Sequence, residues 1–169
     1  MTDAIDDLIT RVLVREGGYS DNPADAGGAT KYGITIGALR DWRRVPVGKD
    51  DVANLTESEA RQIYRSNYFI RTGFDQVQDP ELREFLFDFG INSGVGRASM
   101  ALQAALGVKA DGAIGPITLA ALRADTNPKA LFWRTKCERY EMLLRYIGAD
   151  PRQATFATGW ANRLDQFSE

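Results

Sequence analysis

The chain has 169 residues, of which 44% are hydrophobic and 26% charged, and a formal net charge of −2. That length and balance fit one soluble compact domain and speak against a general nucleic-acid binder, which needs a basic excess. There is no histidine, so zinc hydrolases with histidine ligands and serine or cysteine hydrolases with a histidine base are closed or handicapped routes, and carboxylates are left as the acid–base groups.

The opening stretch, MTDAIDDLITRVLVREGGY, is acidic where a signal peptide is basic. Ile5, Leu8, Ile9, Val12 and Leu13 follow the spacing of a one-sided helix, and Gly17-Gly18 ends it. A loop rich in Gly, Asp, Asn and Pro runs from Tyr19 to about Gly33, with a short strand allowed at Tyr32–Ile36. Residues 35–43 read as a helix stopped by Pro46. Thr56-Glu-Ser-Glu59 has the pattern of a capping box for a helix over 57–70. Asp79-Pro80 opens a helix that places Leu82, Phe85, Leu86 and Phe89 on one face. Asn92-Ser-Gly94 interrupts it, and a helix resumes to Leu106. Pro116–Ala124, a long helix from Asn127-Pro128 to about Tyr146, and a last one near 160–167 complete the series. Cys137 and the tryptophans Trp42, Trp133 and Trp160 fall within helical patterns and read as core, as does the stripe Leu131, Trp133, Tyr140, Leu143 and Leu144. No segment approaches the roughly 20 apolar residues of a membrane span. The fold expected is all-α or nearly so, a single domain over 1–169 with a weak boundary near 107–112.

Glu16 lies four residues after Val12, at the last turn of the first helix. The spacing puts its carboxyl on the buried stripe, where desolvation favours the neutral acid that a proton donor needs. A helix-terminal glutamate paired with Arg15 fits the same spacing. In the loop, Asp25 follows Glu16 by nine residues, and Thr30 supplies a hydroxyl able to orient a water. A glycosidase needs such a second polar group to hold water or to stabilise charge on the sugar ring. Asp21, Asn22 and Asp25 are equally suited to Asx turns. A calcium loop counted from Asp21 fails, because its twelfth position is Tyr32. DGAIGPITLAAL reads as a turn and helix with inward leucines, or as a wall-binding element.

The stretch REGGYSDNPADAGGATKYGIT resembles the hallmark of glycoside hydrolase family 108, the phage-related muramidases, which are lysozyme-like helical proteins. It matches at Glu16, Gly17, Gly18, Tyr19, Pro23, Asp25, Gly27, Gly28, Thr30, Gly33, Ile34 and Thr35. It departs at Asn22, where the pattern has aspartate, so no catalytic role passes to that position. LTESEARQIYRSNYF resembles the family's capped helix, and FDFGINSGVGRASMALQAALGVKADGAIGPITLAAL its later half, often described as peptidoglycan-binding.

The resemblance implies a lysozyme-like helical bundle with an active-site loop after the first helix. It places a catalytic half at 1–94 and a peptidoglycan-binding-like half at 95–169. It implies hydrolysis of the β-1,4 bond of peptidoglycan, with Glu16 as general acid and Asp25 and Thr30 in support. Tyr19 and Tyr32 would either stack on sugar rings or pack beside the glycines, and the Asn92 amide would either bond an N-acetyl group or cap its helix. No metal or organic cofactor is implied. The expected partner is the glycan strand, with no nucleic acid and no stable membrane association. The protein is expected to be a monomer that waits in the cytoplasm for a holin-like pore. A lytic transglycosylase and a noncatalytic wall-binding or secretion-associated protein are the competing readings.

Overall fold

The structure is a computed structural model describing residues 4–21 and 28–167. Among these residues it comprises nine α-helices and one two-stranded sheet, the nearly all-α architecture expected. The chain forms two compact units, residues 1–67 and 68–169.

In the first unit, α1 (Ala4–Glu16) buries Ile5, Leu8, Ile9, Val12 and Leu13 along one stripe. Gly17 takes the left-handed conformation at φ 74° and its N–H donates to the Leu13 carbonyl at 3.1 Å, which closes the helix. Two short antiparallel strands follow, β1 (Thr30–Lys31) and β2 (Ile34–Thr35), with Thr30 opposite Thr35. Their turn residues, Tyr32 and Gly33, both have positive φ (54° and 72°), as a type I′ hairpin turn requires. The strand expected at Tyr32–Ile36 is therefore a hairpin whose turn consumes Tyr32.

Helix α2 (Ile36–Arg43) is capped by the Thr35 hydroxyl. The short α3 (Lys49–Ala53) went unforeseen, since five residues carry no readable period. Helix α4 (Glu57–Arg65) packs against α1 and starts at Thr56, whose hydroxyl accepts from the Glu59 N–H at 3.2 Å. The Glu59 carboxylate takes a different partner from the one the capping-box pattern suggests. It receives two bonds from Arg43, at 2.8 and 2.7 Å, and Arg43 also reaches Asp51 at 3.2 Å. That guanidinium ties α2, α3 and α4 together and holds Glu59 below the usual carboxylate range. Beyond Arg65 the chain widens into a π-helical turn, Ser66–Ile70, where continuous α-helix was expected.

In the second unit, α5 (Pro80–Ser93) is the central rod. Asp79 caps it at 2.7 Å, and Leu82, Phe85, Leu86, Phe87 and Phe89 are all fully buried. A helix apolar on several sides must be enclosed. It packs against α6 (Val95–Ala105) and α8 (Pro128–Ala149), with Phe85 edge-on to Phe89, Phe132 and Phe167. The break between α5 and α6 falls at Gly94, at φ 94°. Helices α7 (Pro116–Ala124) and α9 (Ala157–Asp165) complete the unit.

The phase of α8 differs from the one its apolar residues suggest. Leu131 and Leu143 are buried, but Trp133, Tyr140 and Leu144 are exposed, and so is Cys137. Phe132, Thr135, Lys136 and Arg139 point inward instead. The cause is Asp88 on α5, buried and engaged by Arg139 at 3.3 Å and by Arg163 at 3.0 Å. A buried acid demands a cation, so the helix turns Arg139 in, while Lys136 donates to the Phe167 carbonyl at 3.3 Å.

The leucines of α7 are half-exposed, Ile117 is exposed, and Thr118 is the one buried residue of that helix. The segment before it is anchored by Gln103, which is itself buried. Its amide nitrogen meets Asp111, the Ala113 carbonyl and the Thr118 hydroxyl at 2.8, 3.0 and 3.1 Å, and its oxygen accepts from the Gly112 N–H at 2.8 Å. A polar anchor holds this segment, where packed leucines were expected to.

Candidate active site

Glu16 is the last residue of α1. Its side chain is 35% exposed, less enclosed than its place on the buried stripe suggests. The reason is local: Gly17 turns the chain away, so no further helical turn covers the carboxylate. One oxygen, Oε1, accepts from Arg15 Nε and Nη2 at 3.1 and 3.0 Å. The other, Oε2, faces the hairpin turn, 3.2 Å from where a Cβ on Gly33 would stand. One oxygen is thus in a surface ion pair with Arg15, and the other lies against the backbone of Gly33.

The hairpin is fastened to the end of α1. Ser20 and Thr30 exchange backbone hydrogen bonds at 2.9 and 2.8 Å, and the Tyr32 N–H donates to the Gly17 carbonyl at 3.1 Å. The two stems of the loop are therefore paired, and Thr30, between Ser20 and Thr35, is fixed to the same frame as Glu16. Asp25 and Asn22 lie outside the described residues. Tyr19 is exposed, and Tyr32 carries the Lys31 ammonium 5.6 Å from its ring centre.

Tyr64 was not singled out from the sequence. It is buried on α4, and its hydroxyl donates to the Tyr32 carbonyl at 2.8 Å. This bond holds Tyr32 in a left-handed conformation that costs a residue bearing a side chain about 1–2 kcal/mol. A Cβ on Gly33 would stand 2.9 Å from that hydroxyl and 3.1 Å from Glu16 Cγ. Tyr64 and Glu16 thus both close on Gly33, and the 32-residue separation between Tyr32 and Tyr64 leaves no periodic trace. Gly33→Ala is expected to slow wall clearing at least roughly tenfold and to destabilise the fold by about 1–2 kcal/mol. Gly18→Ala is the control, because its Cβ meets nothing within 4 Å. Clearing rates and denaturant midpoints of the two variants check this, and equal values would remove Gly33 from the account.

Asn92 belongs to the second unit and lies in the last turn of α5; the cap is Gly94. Its amide nitrogen donates to the Asp88 carbonyl at 2.6 Å and to Asp88 Oδ1 at 3.0 Å. Its side-chain oxygen has no partner among the described residues.

Residues 9–94 match the family model described as Glycosyl hydrolase 108, and residues 97–165 match the one described as "Predicted Peptidoglycan domain". The two matches meet after Gly94, whereas packing divides the chain after Asn67, so α5 goes with the hydrolase by sequence and with the second unit by contact. A solved structure of Brucella abortus SagA is similar over 97% of this chain and 91% of its own, at 34% identity and a TM-score of 0.74. No curated protein matches the chain. A hydrolase match over half the sequence and a solved relative along nearly all of it place this chain in glycosyl hydrolase family 108, as a lysozyme-like glycoside hydrolase that acts on peptidoglycan.

Proposed function

We propose that Glu16 is the general acid of an N-acetylmuramidase. It protonates the oxygen leaving the β-1,4 bond between N-acetylmuramic acid and N-acetylglucosamine, and water completes the hydrolysis. Asp25 and Thr30 hold that water or stabilise the oxocarbenium-like state. Tyr19 and Tyr32 offer ring faces to the sugars, and the free oxygen of Asn92 accepts from an N-acetyl N–H. The observation that supports the reading is Glu16 at the end of α1, with Oε2 beside Gly33 of the hairpin turn while Arg15 occupies the other oxygen. No metal or organic cofactor enters this chemistry. The catalytic half is assigned to residues 1–94 and the wall-recognising half to 95–169.

The wider biology is proposed on the family resemblance alone. The enzyme is an endolysin of phage type, a monomer kept in the cytoplasm until a holin-like pore admits it to the wall, which it then lyses.

Mass spectrometry of digested wall tests the chemistry. Hydrolysis gives reducing muropeptides one water heavier than the 1,6-anhydro products of a transglycosylase. Anhydro products would overturn the hydrolytic step, and binding without cleavage would overturn the activity itself.

A further inference from the structure

On the second unit, α6 and α8 frame an open groove of about 280 Å³. Its apolar lining is three alanines, Ala101, Ala104 and Ala110, with Met100 and Met142, and Arg97, Glu138, Arg145 and Tyr146 line it as well. Arg97 donates to the Ser93 carbonyl at 2.7 Å and lies 5.7 Å from the centre of the Tyr146 ring. It pairs with no carboxylate among the described residues. A guanidinium held by a carbonyl and an aromatic face, with N–H groups to spare, is a preorganised receptor for a carboxylate. Among the described residues Arg145 is engaged only by Glu141 one turn away, at 2.9 Å and well exposed, a pair weak enough to yield to a ligand. Glu138, on the same border, offers an acceptor for an amine.

We infer that this groove binds the stem peptide of peptidoglycan, rather than its glycan. That peptide presents alanine methyls, a glutamate carboxylate and a diamino-acid ammonium within a few residues. The groove presents the methyls of three alanines beside two methionines, two guanidiniums and a carboxylate. The lining falls entirely within the stretch that matches the peptidoglycan domain. The inference rests on the peptidoglycan reading but not on the role of Glu16. It gives the second unit its own job, that of holding the wall by its peptide.

The test is calorimetric titration of the full-length protein with a synthetic stem tetrapeptide. Arg97→Gln is expected to weaken binding at least roughly tenfold, the loss of one charge-assisted contact. Ala104→Leu, which occupies the groove without touching a charge, is expected to do the same. Both variants are expected to cleave peptide-free glycan strands at the wild-type rate and to show a raised KM on intact wall. Glu16→Gln is expected to bind the tetrapeptide as wild type does, so loss of the catalytic assignment and loss of this one are separable. Undiminished tetrapeptide binding by both groove variants, no binding by wild type, or displacement of the peptide by chitooligosaccharide would each overturn the inference.

Discussion

The Glu16→Gln protein is expected to fold normally and to clear almost no wall, its rate down roughly 10²–10⁴-fold, the contribution of a positioned general acid. Glutamine keeps the shape of the side chain and its fit beside Gly33, so the hairpin turn and the Tyr64 bond stay in place. What it loses is a transferable proton and the ion pair with Arg15. That pair is between side chains 42% and 35% exposed, and water screening leaves it at most about 1 kcal/mol of stability. The thermal midpoint should therefore scarcely move while activity collapses. Arg15→Ala is the matching control. It removes the same ion pair but leaves the carboxyl, and it is expected to retain most activity. Clearing by Glu16→Gln at the wild-type rate would reduce Glu16 to a helix-end partner of Arg15 and end the assignment.

The parts of this protein legible in its sequence are those encoded within a few residues. Asp79-Pro80, Asn127-Pro128 and Thr56 mark helix starts because a cap bonds a backbone N–H two or three positions on, and all three do so in the structure. Gly17 and Gly94 mark helix ends because they supply left-handed backbone. The EGGY end of α1 was readable for the same reason. What stayed hidden depends on partners distant in sequence. Helix α8 looks apolar along Trp133, Tyr140 and Leu144, yet it rotates to bring Arg139 to Asp88, 51 residues away. Tyr64 reads as one more core aromatic on α4, and its hydroxyl matters only because the hairpin turn folds back to it. The Gln103 anchor is likewise silent in sequence, since its partners lie in a turn with no hydrophobic period.

The Asp88 cluster carries the largest stability effect expected in this chain. Asp88 is 8% exposed, and its carboxylate takes bonds from Arg163 at 3.0 and 3.1 Å and from Arg139 at 3.3 Å, besides holding the Asn92 amide. Arg139 is 4% exposed and lies 4.5 and 5.4 Å from the ring centres of Phe89 and Phe85, and its Nε has no partner. Burial pulls this guanidinium below the usual arginine value, and Asp88 offsets the pull. Asp88→Ala leaves that charge among phenylalanines with no counter-ion, an arrangement that costs about 3–5 kcal/mol. Arg163→Ala should cost less, because its side chain is 28% exposed and Arg139 still balances the acid. Replacing both buried partners with apolar residues, Asp88→Leu with Arg139→Met, should recover much of the loss, since two desolvated charges disappear together. Urea unfolding of the three proteins measures this, and near-equal midpoints for Asp88→Ala and the double variant would show that no uncompensated charge had been created. The same cluster reaches the proposed sugar contact. Without Asp88 Oδ1 the Asn92 amide keeps only its backbone acceptor and is free to rotate, so the double variant, although stable, should still bind N-acetylated glycan more weakly than wild type.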